Sequence, residues 1–181
     1  MSAALYVLEM ANLFCGDDDP TNSKHLTIEE LTLPDLQAVL QDHHPGGSMF
    51  AIEVNVGVAK LTSSFKLKGP IDPALMALFG VGTQEKNRFT AYGAVRDKRT
   101  GKLIELKAIM EGSLGKITVD AFKRGDSVGN MYSINEITSY QVYFNGEELM
   151  YWDFWTNSFR TGGVDRNAAA NRILRIPNVA G

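Results

Sequence analysis

The chain is short of the residue types on which most protein chemistry depends. Among 181 residues there is one cysteine and there are three histidines. A lone Cys15 makes no intramolecular disulfide, so stability is expected without an oxidising compartment, and the thiol reads as buried and inert. His25, His43 and His44 show no zinc-type spacing with cysteine. The adjacent pair His43 and His44 diverges on an extended chain, so it reads as part of a solvated loop. Asp17-Asp18-Asp19 lacks the alternating ligands and the distal glutamate of a calcium loop and reads as a polar turn. No G-x-S-x-G elbow is present. Neither Gly80-Val81-Gly82 nor Gly162-Gly163 opens a helix with the lysine of a phosphate-binding loop. The expectation is a protein with no metal, no cofactor and no catalytic set.

Charge of one sign is lacking too. Eighteen basic residues face 21 acidic ones, for a net charge of −3. Gripping the outside of a nucleic acid needs clustered Lys and Arg. A conduit through which nucleic acid passes is compatible with this balance, since mild repulsion prevents sticking. No apolar run approaches the roughly 20 residues that span a bilayer. The opening Met1-Ser2-Ala3-Ala4-Leu5 carries no basic n-region. Synthesis and folding in a cytoplasm, with no membrane anchoring, is therefore expected.

Period-2 alternation dominates what is there. Ile52, Val54 and Val56 oppose Glu53 and Asn55. Leu61, Phe65 and Leu67 oppose Lys60, Thr62, Ser64, Lys66 and Lys68. Both segments read as half-buried strands, one face in a core and one facing something polar. Arg88–Arg96 and Lys102–Met110 flank the Gly-ended loop Asp97-Lys98-Arg99-Thr100-Gly101. Tyr132–Phe144 and Glu147–Thr156 flank Asn145-Gly146, a two-residue hairpin signal in which both positions tolerate φ > 0. A further strand, residues 5–14, ends in the turn cluster Gly16–Pro20. Asp72 reads as the N-cap of a helix that starts at Pro73 and stops at Gly80, with Leu75, Met76, Leu78 and Phe79 docked on a sheet. A second short helix around Asn167–Ile173, capped by Asp165, is a further candidate. Leu26–Leu33 fits a strand or a short helix. The whole stretch 21–48 reads as an extended loop insertion, Asp42–Gly47 being its exposed part.

The fold class is mainly β: a single domain over 1–181, an antiparallel sandwich or barrel with one packed helix, a long loop insertion and a C-terminal arm at 162–181. Around Tyr151-Trp152-Asp153-Phe154-Trp155, alternation puts Tyr151, Asp153 and Trp155 on one face and Trp152 and Phe154 on the other. Large apolar residues on both faces indicate burial in a core and against a second surface, a neighbouring subunit being one candidate. The alternative is a monomeric ligand-binding β-barrel with these aromatics in its cavity. Arg172 and Arg175 read as interface charges.

Several fragments, in this order and spacing, resemble the major tail tube protein family of contractile-tailed, myovirus-type phages and phage-tail-like particles. They are Leu8-Glu9-Met10-Ala11-Asn12-Leu13-Phe14, Leu31-Thr32-Leu33-Pro34-Asp35-Leu36, the Asp97–Gly101 hairpin, Met110-Glu111-Gly112, Asn145-Gly146-Glu147-Glu148-Leu149 and Gly163-Val164-Asp165-Arg166. The resemblance spans about residues 5–177. It implies a sandwich-like subunit with a helix, forming hexameric rings whose strands join in a continuous inner barrel. Such rings stack into a hollow tube within a contractile sheath, as in R-type bacteriocins, and type VI secretion uses a tube protein of related fold. The implied partners are other copies of the chain, the tail sheath protein, the tape measure, baseplate and tail terminator proteins, and double-stranded DNA in non-specific passage. The implied location is the virion tail, assembled in the host bacterial cytoplasm. The family offers no catalytic residues. On this picture Glu53, Asn55, Thr62 and Ser64 are candidates to line the lumen. Leu31, Leu33, Pro34, His43, His44, Tyr151, Trp155, Asp165, Arg166 and Arg172 are candidates for contacts between rings or subunits, and the stretch 21–48, the N-terminus and the C-terminal arm are candidates for contacts between stacked rings.

Overall fold

A computed structural model describes residues 4–80, 86–121, 123–125 and 128–177. In chain order the strands are β1 (Tyr6–Gly16), β2 (Ile28–Thr32), β3 (Ala38–His43), β4 (Ile52–Val58), β5 (Ser63–Lys68), β6 (Asn87–Asp97), β7 (Leu103–Val119), β8 (Gly129–Phe144), β9 (Glu147–Asp153), β10 (Ser158–Thr161) and β11 (Val164–Asp165). Helix α1 (Pro73–Ala77) follows β5, and α2 (Ala168–Leu174) follows β11. All strand pairs are antiparallel.

The long strands β7 and β8 organise everything else. Their ladder breaks register between Glu111 and Ser113 and again between Leu114 and Lys116. Such bulges bend a strand, and here the bend lets one pair of strands serve two layers. The first half of β7 and the second half of β8 join β1, β6, β9, β10 and β11 in one layer. The second half of β7 and the first half of β8 join β5 and β2 in the other. Gly112 sits at the bend, where an added Cβ would lie 2.8 Å from the carbonyl oxygen of Asn135. Between the layers lie Leu13, Phe89 and Met110 from one side and Phe65, Tyr132 and Ile134 from the other, all fully buried. The Phe65 ring stacks on Tyr132 at 5.0 Å between centroids and reaches Phe89 across the layers at 6.5 Å.

Local signals in the sequence act as expected at several points. Leu61, Phe65 and Leu67 are buried while Lys60, Thr62 and Lys68 are exposed. Asn145 and Gly146 turn the β8–β9 hairpin with φ of 54° and 81°. The Asp72 carboxylate accepts the Ala74 amide at 2.9 Å, with Pro73 in the first helical turn. Helix α1 ends at Ala77, short of Gly80, and buries Leu75 while Met76 and Phe79 stay substantially exposed.

Other expectations need correction. The stretch 21–48 is not an extended loop: it contains β2, which pairs with β5, and β3, which pairs with β4. Among the described residues two α-helices form, α1 and the second candidate that the sequence offered. The weaker candidate near the C-terminus forms as α2, but Asn167, not Asp165, is its N-cap. Asp165 instead accepts the Phe159 and Asn167 amides and closes the β10–β11 turn. The largest departure concerns residues 51–56. Ile52 and Val54 keep the expected alternation, but the ladder shifts register at Val56, and every residue of β4 is exposed. The β3–β4 pair is a sheet of its own, projecting from the sandwich. Beyond Gly80, the Gly80-Val81-Gly82 motif lies outside the described residues, as does the C-terminal arm after Pro177.

Candidate assembly surfaces

Three surfaces of the subunit are incomplete. The first is the outer face of the layer β2-β5-β8-β7. Here Glu30, Lys66, Met131 and Thr118 form one cross-strand row, and Thr32, Ser64, Ser133 and Lys116 the next. The face is polar and its charges balance. Lys66 lies 3.3 Å from Asp120 and 3.7 Å from Glu29, and Lys68 lies 3.3 Å from Glu29. Asp120 first, then Glu29, hold the Lys66 ammonium above its ordinary pKa. Both lateral edges of this layer, β2 and the Lys116–Val119 end of β7, lack a strand partner among the described residues. Unpaired edges of this kind invite another chain.

The second surface is the β3–β4 hairpin. Val39, Leu40, Ile52, Val54, Val56 and Val58 are all exposed, and Met49 and Phe50 at its end are 98% and 81% exposed. An isolated two-stranded hairpin is marginal in water. Among the described residues no second layer covers its apolar side chains. Asp42 and Glu53 stand directly opposite one another in its ladder, and neither has a cationic partner among the described residues.

The third is a groove of about 870 Å³ at the base of that hairpin, lined by the buried Leu61 and Ile137 and by the aromatic side chains of Trp152, Phe154 and Phe159. Phe154 and Trp155, 61% and 71% exposed, form an edge-to-face pair at 5.2 Å in the turn after β9.

The candidates named from sequence distribute unevenly over these surfaces. Ser64 lies on the polar face of the β2-β5-β8-β7 layer, and Thr62 is exposed just before β5. Glu53 and Asn55 belong to the separate hairpin, so the four do not form one lining. Leu31 and Leu33 pack against the core, and Pro34 is buried, which removes these three from the exposed surface. His43 and His44 are exposed at the end of the hairpin. Tyr151 and Trp155 do not share a strand face. The Asp153 carboxylate accepts the Thr156 amide at 2.8 Å and its hydroxyl at 2.9 Å, and this turn ends β9 before Trp155. Tyr151 lies under the Arg160 guanidinium, 3.8 Å from its ring centre, and Arg160 is held by both carboxylate oxygens of Glu148. Arg166 bonds the Thr161 hydroxyl, and Arg172 lies exposed on α2. The exposed Met49 and Phe50 were not singled out from sequence, although two consecutive large apolar residues after Pro45-Gly46-Gly47 are the signal that would have found them.

Nothing in these surfaces assembles chemistry. Among the described residues no group of three or more His, Cys, Asp or Glu is placed to hold a metal ion. Burial pushes the Cys15 thiol up to about 12.

Free edges and exposed apolar strands are the hallmarks of a subunit that completes itself by association. Residues 7–174 match the model of the phage tail tube protein FII family, and the chain belongs to that family. Among solved structures it is similar to a chain of the sheath–tube complex of the extracellular contractile injection system PVC in its extended state. That match has a TM-score of 0.53 and 10% identity, over 75% of this chain and 87% of the other. It is also similar to a chain of the sheath/tube terminator of the same system, with a TM-score of 0.52 and 9% identity, over 76% of this chain and 94% of the other. At such identities the likeness concerns the fold. No curated protein sequence matches.

Proposed function

We propose that the chain is the structural subunit of an inner tail tube, forming hexameric rings that stack within a contractile sheath and conduct double-stranded DNA during ejection. The observation that carries the reading is the layer β2-β5-β8-β7, whose outer face is polar and whose two lateral edges are free. Joining β2 of one copy to the end of β7 of the next satisfies both edges and closes a barrel, which abolishes edges altogether. The outer face of the layer then becomes the lumen. Glu29 and Asp120 pair with Lys66 and Lys68 there, while Glu30 and Lys116 add one charge of each sign, so the wall neither grips nor strongly repels a polyanion. A wall of this kind suits passage better than binding. Lys66 and Lys68 thus face the lumen already paired, with Ser64 in the next row of the same face.

The role is mechanical and needs no catalytic group. The same tube serves a particle that carries no genome, such as an R-type bacteriocin, and the sheath, tape measure, baseplate and terminator proteins are its expected partners. A monomeric ligand-binding barrel is disfavoured because Trp155 lies exposed in a turn and Phe154, although it borders the groove, is itself 61% exposed there.

The test is to place a cysteine at Ser64 and another at Glu105, on the outer face of the opposite layer, and to label assembled tubes with maleimide nanogold. Gold confined to the lumen for Ser64→Cys and to the exterior for Glu105→Cys is expected. Exterior gold at position 64 would reject the assignment.

A further inference from the structure

We infer that the Met49–Phe50 end of the β3–β4 hairpin of one copy seats in the Trp152–Phe159 groove of another copy, making a head-to-tail contact; the inference rests on the tube reading and adds the receptor that reading lacks. The hairpin cannot fill the groove of its own chain. Ala38 and Val58 border the groove at the hairpin's base, while Met49 and Phe50 lie beyond the far ends of β3 and β4. Six residues of strand carry that end roughly 20 Å away.

The two surfaces match in chemistry. The groove is lined by Trp152, Phe154, Phe159 and Ile137, and its volume of about 870 Å³ admits two large side chains. The hairpin end presents two of the most exposed apolar side chains of the subunit.

They also match in charge. Asp42 and Glu53, one rung from the hairpin end, are directly opposed. Like charges in that relation destabilise a ladder until a cation relieves them. The groove carries Lys60, which has no ion-pair partner among the described residues. Its other charged residue, Glu136, is already bonded to Lys86 and Ser113. Seating the apolar end therefore brings two unmatched carboxylates toward one unmatched ammonium.

A protrusion and its receptor at different places on one chain make a heterologous contact, which propagates instead of closing as a dimer.

The experiment measures the critical concentration for tube formation and the pattern of crosslinks. Phe50→Asp, at a site too exposed to affect folding, is expected to raise the critical concentration about tenfold or more while circular dichroism stays unchanged. Lys60→Glu is expected to raise it as well, and adding Glu53→Lys to restore it. In a Phe50→Cys/Gln37→Cys chain, oxidation is expected to give a ladder of oligomers on a non-reducing gel, since Gln37 lines the groove and the native Cys15 is buried. Wild-type tubes with unchanged assembly of Phe50→Asp, or dimers joined by a disulfide between the two copies' position 50 as the sole crosslink, overturn this contact and leave the tube reading standing. A wild-type chain that forms neither rings nor tubes overturns both.

Discussion

Lys24 and Asp72 join the chain entering β2 to the start of α1. The ammonium lies 2.6 Å from one carboxylate oxygen, while the other oxygen accepts the Ala74 amide at 2.9 Å. One side chain thus caps a helix and ties it to the sandwich. Burial pushes the Asp72 carboxyl upward, but the Lys24 and Ala74 bonds outweigh it and hold the group below the ordinary aspartate range. A depressed carboxylate contributes stability that is present above its unfolded value, near 3.9, and is lost as pH falls through the folded value. Asp72→Asn should therefore cost about 1–2 kcal/mol at pH 7. Its deficit relative to wild type should shrink as pH falls below about 4. Urea melts of the two chains across this range provide the check.

The core and the hairpin should respond oppositely to mutation. Phe65 is fully buried between Tyr132 and Phe89, so Phe65→Ala should cost about 3–5 kcal/mol. Val54→Asp, on the exposed hairpin, should change the stability of the unassembled chain by no more than about 0.5 kcal/mol. It should nonetheless prevent stacking. Denaturant melts below the assembly concentration, paired with electron micrographs above it, separate the two effects.

This contrast marks what could be read from the residues alone. Alternation along Lys60–Lys68 correctly told which side chains point inward, and along Ile52–Val54 it holds until the register shift at Val56. It could not tell whether the partner surface lies in the same chain: Phe65 finds Tyr132, whereas Val54 finds none. Turn and cap chemistry is local, and so Asn145-Gly146 and Asp72-Pro73 were legible. The bend of β7 and β8 depends on register between strands distant in sequence, and no local pattern around Gly112 announces it. Trp155 was misplaced because the Asp153–Thr156 side-chain bonds end β9 where alternation continues on paper. The candidate surfaces were legible only in part. Leu31, Leu33 and Pro34 proved to be inward-facing, and the hairpin's Met49 and Phe50 emerged only with the fold.

Cys15 should be silent in the folded chain. With its thiol pushed up to about 12 by burial, it is essentially unionised at pH 8. A thiol reagent such as dithionitrobenzoate should leave it unmodified in native buffer for hours and titrate one thiol per chain in guanidinium. Rapid native reaction would show that the β1 end and α1 do not stay closed over it.

The close approach at Gly112 gives a test of the bend itself. A Cβ there meets the Asn135 carbonyl oxygen at 2.8 Å and the Ile134 side chain at 3.0 Å. Gly112→Ala should destabilise by about 1–3 kcal/mol, the cost of forcing a packed site apart. Gly46→Ala, where an added Cβ meets nothing within 4 Å, should be close to neutral. Thermal melts of the two variants should separate them clearly.

The central claim is that this chain is built to be completed by copies of itself, and the most direct measurement is electron microscopy of the purified wild-type protein over a range of concentrations. The account predicts rings with an open centre, and stacks of them with a continuous lumen as concentration rises. A chain that stays strictly monomeric at high concentration, with and without tail nucleating components, would contradict it.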